Sequence, residues 1–338
     1  MPSRAGTCSK RSWSGSRRSR PFIASTTVTT PSAFRNARAA RRARCRRRSS
    51  TRSCAGWRRT VCECGGDHGR ALKGVDPRGA VVAITGASAG IGWASALAFA
   101  RAGSRLALAA RRVDRLEALA AEVRALGSEA LVMAADVASA ADVRRFVDAA
   151  VERFGRLDVM VNNAGAGVRG SVEETPLEDY RRLMEVNYLG TVHGCRAVLP
   201  VMKRQGRGVI INVSSIVGHR ALAGGAAYAA TKAAQISLTE SLRMELRGTG
   251  IAACSVHPVS TETEFAEVAA RASAGRKGGP VGPRQSADAV ARAIVACARR
   301  PRPEVYPYRL SRAIVWLNAL APGLVDWLAA HATRPKVS

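Results

Sequence analysis

Apolar residues are spread unevenly along the chain. Residues 1–75 show no sustained periodicity, whereas from residue 76 short apolar runs alternate with amphipathic stretches. AVVAIT (80–85) is continuous, partly β-branched and stopped by Gly86, as a strand buried on both faces should be. GWASALAFARAG (92–103) then has helical spacing and closes on a glycine. The alternation continues through RLALAA (105–110), the helix DRLEALAAEVRALG, EALVMAAD (129–136), the helix DVRRFVDAAVERFG and LDVMVNNAG (157–165). GVIINVSS (208–215) and IAACSVHP (251–258) are two further strands, separated by an alanine-rich helix. This order predicts one doubly wound α/β domain, with a parallel sheet, right-handed crossovers and helices on both faces.

In such folds ligands bind beyond the carboxyl ends of the strands. The first strand is followed there by TGASAGIG (85–92), which sets Gly86, Gly90 and Gly92 between strand and helix. Missing side chains let a phosphate reach the backbone, and the helix N-terminus offers free N–H groups and a positive dipole end. A second stretch, AAYAATKAAQ (226–235), sets Tyr228 and Lys232 four apart and therefore on one helix face. A cation beside a phenol lowers its pKa and makes it an acid/base group near neutral pH. The plain alternative is a helix with one aromatic and one solvated charge. Composition weighs against it, because only six of the 53 basic residues are lysines.

These stretches do not stand alone. Over residues 78–310 the chain resembles the short-chain dehydrogenase/reductase family, a Rossmann-type fold. The glycine turn matches that family's cofactor motif, and NNAG at Asn162–Gly165 matches its sheet-stabilising motif. Asn187 in VNYLG matches its active-site asparagine, and Ser215, second of the SS pair, its catalytic serine. Tyr228 and then Lys232 follow in the family's order. The resemblance implies hydride transfer between a nicotinamide cofactor and a ketone or secondary alcohol, on a small to medium apolar substrate. Tyr228 would act as general acid/base, with Lys232 lowering its pKa and holding the nicotinamide ribose. Ser215 would donate to the substrate oxygen. Asn187 would anchor a water linking Lys232 to solvent. The implied cofactor contacts are Gly86, Ser88, Gly90, Ile91, Gly92, Asp136, Val137, Asn163, Ala164, Gly165, Tyr228, Lys232 and Pro258, with Asp136 against the adenine.

The choice of cofactor is read after the second strand. An acid there binds the adenosine ribose hydroxyls of NAD, whereas arginine accommodates the 2′-phosphate of NADP. Ala110 stands at the acid's place, followed by Arg111 and Arg112, so NADP(H) is expected over NAD(H). One departure follows the IAACSVHP strand, where the family has Pro-Gly and then a threonine on the nicotinamide amide. Here Val259 replaces the glycine, and Thr263 or Thr261 is expected to take the threonine's part. The polar segment 260–285 is expected to form a mobile lid.

Charge divides the chain. Residues 1–75 carry 19 of the 53 basic residues and two of the 25 acids, the composition of a disordered extension. It reads best as upstream DNA translated from a start set too early, the protein proper beginning near Val75. A transit peptide or a nucleic-acid-binding arm are the alternatives. CECGGDH in this extension lacks a second ligand pair at zinc-finger spacing, so no metal site is expected. Cys195, Cys254 and Cys297 stand isolated, which with no visible secretory signal suggests the cytoplasm. Residues 76–310 form the expected catalytic domain and 311–338 an apolar C-terminal helix and tail. That helix, AIVWLNALAPGLVDWLAA (313–330), is expected to cover the substrate cleft, with peripheral membrane contact as the lesser alternative. The expected partners are a small carbonyl or alcohol substrate and further copies of the chain, as a homodimer or homotetramer, rather than nucleic acid. Two other functions compete: a cofactor-binding regulatory module without turnover, and nucleic-acid binding through the basic extension. Intact Ser215, Tyr228 and Lys232 oppose the first.

Overall fold

The computed structural model describes residues 73–276 and 282–332. The expectations for the basic extension and its CECGGDH stretch fall on residues 1–72, outside the described residues. Seven strands form one parallel sheet: β1 (Val81–Thr85), β2 (Arg105–Ala110), β3 (Ala130–Ala134), β4 (Val159–Asn162), β5 (Gly208–Val213), β6 (Ile251–Val256) and β9 (Glu304–Val305). Their order is β3-β2-β1-β4-β5-β6-β9, so the direction of winding reverses between β1 and β4. Two three-residue strands, β7 (Ser260–Glu262) and β8 (Arg284–Ser286), pair separately. The structure is a Rossmann-type α/β fold, as the alternation of elements implied.

Each central strand is buried on both sides, and its two side-chain sets feed two cores. Val82 and Ile84 of β1 pack with Phe99, Leu116 and Ile294. These come from α1 (Gly90–Arg101), α2 (Val113–Ala125) and α8 (Ala287–Arg299). Val81 and Ala83 face Phe146, Val198 and Leu242 on the opposite side, from α3 (Ala140–Phe154), α5 (Gly190–Gln205) and α6 (Ala226–Glu245). Phe99 and Phe146 are wholly buried, each contributing about 1.5–3 kcal/mol through apolar burial. The chain joins this core at Val75, whose N–H donates to Ala298 O at 2.8 Å.

Several elements differ from the sequence expectation. β9 is two residues long between prolines, too short to show a period. α4 (Leu177–Leu183) runs into α5 through a π-helical turn, Met184–Leu189. Segment 260–285 contains β7, α7 (Phe265–Ala272) and most of β8, with residues 277–281 outside the described set. It is fastened by Arg276, which pairs with Asp179 at 2.8 Å and donates to Arg169 O, both charged partners being largely buried. The C-terminal apolar stretch is two helices, α9 (Ser311–Leu320) and α10 (Pro322–Ala332), broken at a proline. Cys254 on β6 and Cys297 on α8 are not isolated in space, since their buried thiols lie close enough to shift each other's pKa.

α5 lies so close to β4 that one glycine is indispensable. A Cβ added at Gly194 would stand 1.9 Å from Asn162 Oδ1 and 2.8 Å from its Cγ. Asn162 itself donates to Asn212 Oδ1 at 2.9 Å, tying β4 to β5. Gly194→Ala is therefore expected to lower the unfolding free energy by roughly 2 kcal/mol or more through overpacking. Urea titration measures this, and an unchanged midpoint would show that α5 has room to withdraw.

Candidate active site

The site begins at the turn after β1. Gly86 and Gly90 adopt positive φ, 65° and 56°, and a Cβ on Gly92 would meet Gly86 O at 2.3 Å. The turn is held from β4: Asn163 Nδ2 donates to Thr85 O and Gly86 O, each at 3.1 Å. Thr85 Oγ1 accepts from the N–H groups of Asn163 and Ala164. Asn163 thus supports the turn from behind with its side chain. α1 has neither a side-chain cap nor an acid in its first turn, so its leading N–H groups and dipole remain available to an anion. Residues Ser88 and Ile91 belong to the same turn and helix start. The cradle fits the pyrophosphate of a dinucleotide.

The end of β2 faces this turn. Arg112 donates to Ser88 Oγ at 3.4 Å and pairs with Glu264 at 3.0 Å, and Arg115 pairs with the other Glu264 oxygen at 2.8 Å. Among the described residues Arg111 makes no ion pair and is exposed. Glu264 was not anticipated, because it lies far along the chain, just before α7. At the end of β3, Asp136 Oδ1 accepts from Ala138 N–H at 3.0 Å. Val137 beside it is buried, and its side chain lies against Gly190.

The second half of the site forms where β5 and β6 end against α6. Ser215 Oγ donates to Pro258 O and accepts from Val217 N–H, both at 3.4 Å, and lies beside the Tyr228 phenol. Burial pushes that phenol above its usual pKa, with Ser215 opposing the shift. Lys232 is 3% exposed. Its Nζ donates to Val213 O at 3.0 Å and Gln235 Oε1 at 2.8 Å, and lies 5.5 Å from the centre of the Tyr228 ring. Burial pushes this amine down to about 7. Dehydration dominates both shifts, upward for the partly buried phenol and downward for the amine.

Asn187 sits in the π-helical turn, wholly buried. Its Oδ1 accepts from Ala166 N–H at 2.7 Å, and its Nδ2 donates to Ala166 O and Thr231 Oγ1, both at 2.9 Å. Gly165 is close by: a Cβ there would lie 3.3 Å from Asn187 Oδ1 and 3.8 Å from Lys232 Nζ. Gln235 was missed by the sequence reading. It accepts from Lys232 and donates to Asn187 O at 2.8 Å and Thr191 Oγ1 at 2.6 Å. It therefore occupies the link between Lys232 and Asn187. A signal was present in the sequence: Tyr228, Thr231, Lys232, Gln235 and Thr239 recur at helical spacing, a polar stripe on what proves to be a buried face.

Beyond β6 the valine at the expected glycine position is accommodated without strain, since Val259 does not adopt positive φ. Thr261 turns its hydroxyl to Val259 O at 2.9 Å and receives Gln285 Nε2 at 3.4 Å. Thr263 instead lies over the glycine turn, where a Cβ on Gly90 would meet its methyl at 2.9 Å. Phe265 covers Tyr228, the ring centres 5.5 Å apart. A neighbouring group, His219, His257 and Glu304, brings its donor atoms within 4.8 Å of one another. Tyr306 donates to Glu304 at 2.9 Å and meets His219 Nε2 at 3.2 Å. Burial and the His219 ring hold His257 down to about 3.

The sequence model of the family described as short chain dehydrogenase matches residues 80–273. An uncharacterized oxidoreductase of Listeria monocytogenes is 39% identical over 189 residues, covering 55% of this chain and 76% of that protein. A crystal structure of a short chain dehydrogenase/reductase from Burkholderia phymatum, in complex with NAD, superposes with a TM-score of 0.68. It is 29% identical, and the match covers 74% of this chain and 96% of that one. An alcohol dehydrogenase from Thermococcus sibiricus, complexed with 5-hydroxy-NADP, matches at TM-score 0.59 and 34% identity, over 67% of this chain and 95% of its own.

The Gln235 link is open to direct test. Gln235→Leu keeps the volume but leaves the Asn187 carbonyl, the Thr191 hydroxyl and the Lys232 amine each short of a partner. It is expected to lower stability by about 2–4 kcal/mol, measured by denaturant unfolding. A variant as stable as the parent would mean that these buried groups find other partners.

Proposed function

The chain belongs to the short chain dehydrogenase family, a family of nicotinamide-dependent oxidoreductases, and on that premise we propose that it interconverts ketones and secondary alcohols with NADP(H), using Tyr228 as general acid/base. One observation carries this reading. The Lys232 amine lies 5.5 Å from the centre of the Tyr228 ring, with Ser215 near enough to the phenol to oppose its upward pKa shift, at the carboxyl end of the sheet that also carries the glycine turn. When bound, the nicotinamide supplies or takes up the hydride. The turn at Gly86, Gly90 and Gly92 and the start of α1 would hold the pyrophosphate, with Asp136 and Val137 at the adenine. Gly165, Lys232, Pro258 and Thr263 would flank the nicotinamide ribose and ring. Thr263 suits that place better than Thr261, whose hydroxyl is already turned into the β7–β8 pair.

The residues divide the chemistry between them. Ser215 Oγ and Tyr228 Oη would hold the substrate oxygen together. Ser215 donates to developing negative charge, and Tyr228 gives its proton in reduction or takes one in oxidation. Burial keeps the phenol protonated, the form that carbonyl reduction requires. Lys232, with its pKa held near neutrality, would regain charge as negative charge develops on the phenol oxygen. Asn187 and Gln235 would act through Lys232 by fixing where its Nζ lies. Phe265 makes the adjoining wall apolar, which supports an apolar substrate.

Arg111 and Arg112, with Ala110 in place of an acid, support NADP(H). Similar structures carry either cofactor type, so the local residues decide. Arg112 is engaged by Glu264, and Arg111 is the freer cation for a 2′-phosphate.

Two measurements test the proposal. Tyr228→Phe is expected to retain cofactor binding and lose turnover, followed as nicotinamide absorbance with a panel of ketones and alcohols. Activity within about tenfold of the parent, ~1.4 kcal/mol in barrier, would remove the acid/base assignment. Arg111→Asp is expected to weaken NADPH far more than NADH, because a like charge would then face the 2′-phosphate. A constant ratio of the two dissociation constants would leave Arg111 as a surface residue.

A further inference from the structure

The C-terminal helices reverse the usual rule for a surface helix. Only a narrow stripe of α9 and α10 meets the domain: Ser311 and Val325 are buried, and Asn318 reaches His219 O. A solvated helix places charge on the remaining arc. Here that arc carries Trp316, Leu317 and Leu320 on α9, and Leu324, Trp327 and Leu328 on α10. Of the 17 exposed large apolar side chains among the described residues, eight fall between Leu310 and Leu328. Leu320, at the corner before Pro322, is 85% exposed. Scattered apolar residues need no explanation, but a concentration such as this marks a contact surface.

Charge and length indicate what covers it. Residues 309–331 contain Arg309 and Arg312 and a single acid, Asp326, which pairs with Arg220. The Arg312 guanidinium lies 5.3 Å from the Trp316 ring centre. With Asp326 paired, Arg309 and Arg312 leave this surface positive, so anionic headgroups would be attracted to it. Tryptophan suits the headgroup boundary, where one end of the ring system is apolar and the other wet. Helices of ten and eleven residues reach about 15 Å each, half the ~30 Å hydrocarbon core. Among the described residues no helix is long and apolar enough to cross a membrane. We propose that α9 and α10 form a docking surface for anionic phospholipid bilayers, seating Trp316, Leu320, Leu324 and Trp327 in the interface plane. Arg220 and Asn318 tie this surface to the loop after Ser215, so docking sets that loop at the lipid boundary.

The test uses the full chain and sucrose-loaded vesicles of phosphatidylcholine and phosphatidylglycerol at a 3:1 ratio, taken as about three neutral lipids per charge. About 0.5 M salt screens the basic residues 1–75. The parent is expected to sediment with the vesicles, and brominated lipid to quench its tryptophan fluorescence. Leu320→Asp with Leu324→Asp is expected to weaken sedimentation at least tenfold at an unchanged melting temperature. Trp316→Phe with Trp327→Phe is expected to abolish the quenching. Equal vesicle binding by parent and aspartate variant would place the contact away from α9 and α10 and overturn the proposal. So would a parent that ignores vesicles, or one that is a dimer in sedimentation velocity and becomes monomeric in the aspartate variant, for then a second copy covers the face.

Discussion

An amine buried at the end of a sheet must be given oxygen partners or it will not stay there. Lys232 meets that constraint with one backbone carbonyl from β5 and one side-chain oxygen from its own helix. Each partner is in turn committed elsewhere. Gln235 spends its two donors on the π-helical turn at Asn187 and on Thr191. Asn187 spends its side chain on Ala166 and Thr231, and Ser214 Oγ holds Lys232 O. Strands β4 and β5, the α4–α5 junction and α6 are therefore fixed relative to one amine. Networks of this kind act as a unit, because an orphaned member in a dry setting is costly.

The same dehydration shapes the chemistry. Burial shifts a phenol up and an amine down, so Tyr228 is kept protonated while Lys232 is brought close to neutrality. A surface Tyr–Lys pair at the same spacing would have neither property. The glycine turn solves a different problem with the opposite means, by removing side chains and leaving N–H groups unused. The two halves meet because β1 and β4, and then β5 and β6, all end on one edge of a parallel sheet.

Most of this was legible in the sequence. β2 and β5 are continuous apolar runs with clear ends, and the helix over Tyr228 and Lys232 follows from alanine content and spacing. What escaped was set by tertiary contact rather than local pattern. Glu264 reaches Arg112 across 152 positions, and Phe265 finds Tyr228 only because α7 folds back over the site. Gln235 reads as a solvent-facing polar residue until the helix is known to turn its polar stripe inward. β9 is too short to carry a period, and the C-terminal apolar stretch breaks at Pro322, a residue favoured at the first turn of a new helix.

The central claim is that the fold holds Lys232 as a dry amine whose proton is shared out near neutral pH. Carbon-13 labelling of lysine, with only six lysines in the chain, allows the Lys232 Cε resonance to be followed by NMR and assigned by its loss in Lys232→Met. The account predicts a titration midpoint at about 7. A midpoint near the ordinary lysine value of about 10.4 would contradict it and show that water reaches this amine.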